Sequence, residues 1–316
     1  MRRLLIIFFL GFFLSVLIYP SAVIHPADTL PDNNDTRLIA YIIGQVQNNL
    51  LRRQPLFYGT FFAPYENTLA YSDLFLTTAV ITLPLRALTS SPIIIFNLAY
   101  LINSSFTFAA AFLFFAYLTK SNRRGLLASL LFLLSGYHLI YLPHLHVYSL
   151  WAVFLALFFF LRFQAENKTI FLHLFYFSTF LQLADSLFPV YLIFFSAFIF
   201  FICQPRHPQK IIIHALPFLI CSLVLVFPYL KLAFTFPEAV RPIRDAAHFS
   251  LGLEEIFTTY HSWTLVILLL LSLRGPTSSP IKRSDLLTLA TGLILSLGPV
   301  VKAFGHTVKV FGLPLP

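Results

Sequence analysis

Five carboxylates crowd the first polar stretch of this chain: Asp28, Asp32, Asp35, Glu66 and Asp73, out of twelve acids in 316 residues. A carboxylate held against a substrate can take the proton from an attacking hydroxyl or amine. Cations stand nearby or recur later. Arg37 follows Asp35 by two residues, and Arg241 and Arg244 are three apart. On a helix those two would share a face, where guanidinium forks can hold a phosphate bidentately. His144 and His146 flank one leucine. Two imidazoles are too few for a zinc site, so an interfacial loop is the plainer reading and no metal ligands are assigned. The acids have a plain reading too. Pro31, Asn33 and Asn34 favour a solvated turn, and Asp35 can serve as a helix cap.

These residues are set in a chain made for lipid. It is 58% hydrophobic, 17% aromatic and 10% charged, with 38 Phe, against roughly 25% charged in a soluble domain. The apolar runs are continuous, not alternating, which favours helices over a barrel. The net charge of +9 fits basic residues gathered at cytoplasmic span ends and calls for no nucleic acid. Cys203 and Cys221 fall in or beside apolar runs without a spacing motif, so neither a disulfide nor a metal site is expected.

The polar stretch begins after Leu4–Ile24, which reads as a signal anchor behind Arg2 and Arg3. Within it, 36–51 is periodic: Ile39, Ile42, Ile43, Val46 and Leu50 share one face, predicting an amphipathic helix on the membrane surface. Asp35 stands at its start, where the helix dipole favours negative charge. Residues 71–89 are apolar but carry Asp73, Pro84 and Arg86. If they do not span, nine spans remain, near 4–24, 93–118, 125–142, 147–163, 169–184, 187–203, 211–230, 256–273 and 285–301. The inner side then holds 12 basic and 2 acidic residues, a net +10, against −1 outside. If they do span, the basic excess lies outside. The positive-inside rule therefore puts 71–89 in an interfacial or re-entrant helix. The expected protein is all-α and multi-pass in the cell membrane, a single domain over 1–316 with outer loops at 25–92 and 231–255. Its N-terminus is cytoplasmic and the acid cluster of the first outer loop faces outward.

The order of features resembles that of the GT-C membrane glycosyltransferases. More narrowly it is similar to their bacterial branch labelled RgtA/B/C/D-like or dolichyl-phosphate-mannose-protein mannosyltransferase-like. The resemblance rests on Asp35-Thr-Arg37-Leu, Phe62-Ala-Pro64-Tyr65-Glu66-Asn67-Thr-Leu-Ala-Tyr71-Ser72-Asp73, Pro92-Ile-Ile-Ile-Phe96-Asn97, Ser135-Gly136-Tyr137-His138, Leu142-Pro143-His144-Leu145, Ala246-Ala247-His248-Phe249-Ser250 and Leu297-Gly298-Pro299. It implies a GT-C-like bundle of about nine spans with interfacial helices in the first outer loop. It also implies further spans beyond Pro316. The implied activity is sugar transfer from a polyprenyl-phosphate-linked donor to a glycan, lipid or protein acceptor on the outer face. The family's loop acid maps onto Asp35. Relatives have Gly-Asp where this chain has Asn34-Asp35, so Asp32 stays a rival catalytic base. Arg37, Arg241 and Arg244 are the implied partners of the leaving phosphate. Tyr65, Glu66, Asp73, His144 and His146 are the remaining substrate-binding candidates. No cofactor is assigned, and a divalent cation is compatible with the scheme.

Other classes remain open on the residues alone. The chain lacks a Gly-rich phosphate loop, HExxH, CxxC and GxSxG, which argues against an ATP-driven pump and the common hydrolases. A transporter or flippase would use ionisable groups within the spans, and His173, His214 and Asp185 are the available ones. A non-catalytic cell-envelope membrane protein needs none of them.

Overall fold

The computed structural model describes residues 2–62, 65–135, 138, 141–203 and 207–236, together with 302–303, 306–310 and 313–314. The described protein is helical apart from two minimal antiparallel hairpins, Lys302–Ala303 with His306–Thr307 and Lys309–Val310 with Leu313–Pro314. The expected spans at 256–273 and 285–301 lie outside the described residues, as does most of the 231–255 loop.

Helix α1 (Arg2–Ile18) is shorter than expected. Pro20 cannot donate the next helical bond, and the chain restarts as the single turn α2 (Ser21–Ile24). Helix α3 (Asp35–Arg52) appears where the periodicity put it. Its apolar face is turned into the protein, not into lipid: Ile42, Ile43 and Val46 are fully buried, against Phe57, Leu69, Ala79, Ile95 and Phe96. Leu50 is exposed. Burial of each large aliphatic side chain is worth about 1.5–3 kcal/mol, which holds α3 down on the bundle.

Residues 76–87 form one short apolar segment, α4 (Leu76–Thr82) running into a 3₁₀ turn at Leu83–Ala87. At 1.5 Å per residue it is about 18 Å long, well short of the roughly 30 Å hydrocarbon core. The central element is α5 (Pro92–Thr119), which packs against α1, α3, α6 (Asn122–Leu133) and α8 (Trp151–Glu166). The α5–α6 turn is tight. Lys120 takes a left-handed conformation, Ser121 Oγ accepts from Arg124 N, and a Cβ on Gly125 would stand 2.6 Å from the Ala116 backbone. Helix α6 stops at Leu133, so the expected span at 125–142 is not one continuous helix. After the single turn α7 (Leu145–Tyr148), α8 pairs with α9 (Thr169–Asp185); α10 (Val190–Cys203) and α11 (Pro208–Thr235) pack on that pair.

Pro92–Thr119, Leu145–Glu166 and Pro208–Thr235 are long and apolar enough to cross a membrane. The protein is thus a multi-pass helical membrane bundle with at least three such helices. The outward faces of α1, α10 and α11 carry exposed Phe, Leu, Ile and Val, as surfaces bathed in hydrocarbon must.

Polar side chains hold the segment between α1 and α5 together, and Asn97 of α5 ties it to the bundle. Gln47 Nε2 donates to Ala79 O and Thr82 Oγ1, Asn49 Nδ2 to Leu56 O and Tyr58 O, and Asn97 Nδ2 to Pro26 O and Thr29 O. This polar roof spans one end of the bundle.

Candidate active site

At the start of α3 two aspartates divide the labour. Asp32 Oδ1 accepts the Thr36 N–H at 2.9 Å and the Asn34 N–H at 3.3 Å. It is the group that closes the helix start. Slight burial would raise the Asp32 pKa, but the nearby Thr36 hydroxyl and the N–H groups of Thr36, Asn34 and Asp35 prevail and hold it below the usual carboxylate value. Asp35, the first helical residue, makes no capping bond. The cap that sequence reasoning allowed to Asp35 thus belongs to Asp32, because the turn at Pro31–Asn34 reaches back over the first free N–H groups.

Asp35 faces instead a loop more than one hundred residues later. Its Oδ2 lies 3.6 Å from His144 Nδ1, and its side chain is 58% exposed. The His144 and His146 rings are 5.4 Å apart. His146 Nδ1 is 3.9 Å from Asp73 Oδ2. Both acid–imidazole separations exceed a hydrogen bond; they become ion pairs when the imidazole is protonated. Asp73 is fixed from its far side, its carboxylate accepting from Ser186 Oγ at 2.8 Å and Leu187 N at 3.1 Å. The result is a row of four titratable groups, Asp35, His144, His146 and Asp73, drawn from three segments distant in sequence.

Beside this row opens a cleft of about 490 Å³ lined by Leu38, Tyr41, Phe61, Phe62, Tyr71 and Ser72. Leu38 is one turn along α3 from Asp35, and Ser72 precedes Asp73, so the segments bearing the acids also build the walls. Tyr41, Phe61, Phe62 and Tyr71 form a chain of ring contacts, 5.0–5.5 Å between centroids. Tyr41 OH is held by Thr60, through its hydroxyl at 2.8 Å and its N–H at 2.9 Å. Such a cleft offers flat apolar surfaces; Asp35 and Asp73 belong to the segments that build it but are not among its lining residues.

Comparison with known protein families, curated proteins and solved structures finds no match.

Of the residues selected from sequence, Asp35, Asp73, His144 and His146 come together. Tyr65 and Glu66 line a different cleft, with Lys231 of α11. Arg37 is exposed and forms no ion pair among the described residues. Arg241 and Arg244 lie outside the described residues. No three His, Cys, Asp or Glu side chains gather to hold a metal ion among the described residues.

One group behind the row was not expected there. Asp185 is 2% exposed. Its Oδ1 accepts Thr78 N at 2.8 Å, and its Oδ2 accepts Thr78 Oγ1 at 3.1 Å and Ser149 Oγ. Asn103 of α5 extends the network, donating to Thr78 Oγ1 and accepting from Ser149 Oγ and Trp151 Nε1. Phe75, in the left-handed region at φ 51°, donates its N–H to Asp185 O at 2.8 Å. Asp185 caps α4 while Asp73 binds residues 186–187, so the two segments clasp each other reciprocally. A signal was present in the sequence: Thr78, Asn103 and Ser149 are polar residues inside apolar runs. His173 and His214, the other in-span candidates, bond to each other at 3.0 Å between α9 and α11.

Proposed function

We propose that this protein is a membrane glycosyltransferase of the GT-C type, transferring a sugar from a polyprenyl-phosphate-linked donor to an acceptor on the outer face. The observation that carries the reading is the release of Asp35 from capping. Asp32 does that work, so Asp35 is free to meet an acceptor beside an aromatic cleft and opposite His144. The acceptor oxygen or nitrogen attacks C1 of the donor sugar, its proton passes to Asp35, and the bond from C1 to the phosphate oxygen breaks. Aromatic walls suit the apolar face of a sugar ring or an isoprenoid tail. Arg37 offers positive charge for the leaving phosphate, a role shared in this reading with Arg241 and Arg244. The charge split between the two sides supports a cytoplasmic N-terminus and an outward-facing roof.

The test is transfer of radiolabelled sugar from a polyprenyl-phosphate donor by purified protein. Asp35→Asn should lower turnover roughly 10²–10⁴-fold with normal expression, and Asp32→Asn should retain transfer. Parental rates from Asp35→Asn would overturn the assignment. Absence of transfer from a library of such donors by the unaltered, folded protein would count against the reaction itself.

A further inference from the structure

The second cleft, independent of the reading above, has its own chemistry. It encloses about 250 Å³ between the segment Tyr65–Asn67 and the end of α11, where Lys231, Thr235 and Phe236 line it. Its volume is below the roughly 300–1,000 Å³ of ordinary small-molecule pockets. It holds one carboxylate and one ammonium, Glu66 and Lys231. Neither makes an ion pair with the other or with any other described residue. The Tyr65 and Phe236 rings meet edge to face at 4.6 Å. Asn67 and Thr235 add polar groups at the wall, and Thr235 Oγ1 is held by Lys231 O at 2.7 Å.

Below the cleft the surface changes character at once. Helix α11 exposes Leu223, Val224, Phe227, Leu230 and Phe234, the last at 84%. Pro228, which has no N–H to give Val224 O, stands where this apolar face meets the polar cleft. A ligand seated here has its head among opposite charges and aromatic rings and its body along a hydrocarbon-facing helix.

We infer that this cleft binds the headgroup of a zwitterionic phospholipid carrying a primary ammonium, with the phosphate at Lys231, the ammonium between Glu66 and the Tyr65–Phe236 rings, and the acyl chains along α11. The ammonium gains the carboxylate and the ring faces together. The phosphate gains a lysine that no other described group neutralises. A small cleft with a hydrogen-bonding carboxylate favours a primary ammonium over a trimethylated one, whose methyl groups fill more space and donate no N–H.

The experiment uses the full chain in nanodiscs of equal phosphatidylethanolamine and phosphatidylglycerol, extracted gently and weighed by native mass spectrometry for retained lipid. The unaltered protein should retain phosphatidylethanolamine in preference to phosphatidylglycerol. Glu66→Gln should reduce that preference about three- to fivefold, and Lys231→Gln should weaken retention of both lipids. Asp35→Asn should leave retention unchanged, which separates this site from the transfer reaction. Equal retention of both lipids by the unaltered protein, or an undiminished preference in Glu66→Gln, overturns the proposal. Displacement of the lipid by free phosphoethanolamine at matching concentration would overturn the lipid assignment, since the chains would then add nothing.

Discussion

Removing the Asp185 carboxylate should unfold the roof from beneath. Three donors converge on it, the Thr78 N–H, the Thr78 hydroxyl and the Ser149 hydroxyl, at a position 2% exposed to solvent. A buried donor left without an acceptor costs about 1–3 kcal/mol. Asp185→Ala strands the Thr78 N–H and hydroxyl, while the Ser149 hydroxyl keeps Asn103 Oδ1 as an acceptor, so about 2 kcal/mol is the lower end of the loss. Phe75 also keeps its left-handed backbone only while the loop beside Asp185 stays in place. Asp185→Asn is the milder change. Its carbonyl can still accept from Thr78 N, and one hydroxyl must find a new partner, for about 1–2 kcal/mol. Melting of detergent-solubilised protein followed by tryptophan fluorescence is the assay, because Trp151 donates into the same network at Asn103. At about 2–4 °C per kcal/mol, Asp185→Ala should melt at least about 4 °C below the parent, with Asp185→Asn between them. If Asp185→Ala melts within about 2 °C of the parent, the donors have found other acceptors and the reasoning fails.

The cap at α3 predicts that Asp32→Ala destabilises the protein by about 1 kcal/mol, whereas Asp35→Asn leaves the melting temperature unchanged. Because the folded-state pKa of Asp32 is depressed, its contribution is complete above the unfolded-state value near 4. It is lost as pH falls through the lower folded-state value, so the gap between parent and Asp32→Asn should close in acid melts. Gly125→Leu should prevent α6 from closing on α5, read as loss of a monodisperse elution peak, since even a methyl group meets the Ala116 backbone. With Cys203 and Cys221 replaced, a cysteine at position 52 should react in intact cells with an impermeant maleimide, and one at position 123 should need a permeable reagent; the reverse pattern would refute the outward-facing roof.

What could be read in advance follows the range of the forces involved. The face of α3 was visible because a helix repeats within a few residues, and Ile39, Ile42, Ile43 and Val46 are indeed covered. That they face protein depends on what arrives from Phe96 and Phe57, which periodicity does not report. The short 76–87 helix agrees with a charge count that kept this segment from spanning, although the orientation of the bundle rests on that count alone. The stop of α6 at Leu133 comes just before Ser135-Gly136, a helix-ending pair that the apolar count over 125–142 passed over. The exchange of roles between Asp32 and Asp35 turns on one backbone turn. The meeting of Asp35 with His144, and of Asp185 with Thr78, joins segments whose separation no spacing rule covers.

The reciprocal clasp also has a consequence in time. Thr78 and Asp185 are 107 residues apart in the chain. At roughly 5–20 residues per second of synthesis, the start of α4 waits about 5–20 s before its capping carboxylate has been made. During that interval the Thr78 N–H and hydroxyl must be satisfied by water, so the segment stays at the wet edge of the bilayer until α9 is in place. Assembly of the roof is therefore a late event on the nascent chain, and a ribosome stalled before residue 185 should carry a segment 73–87 open to proteases that the finished protein resists.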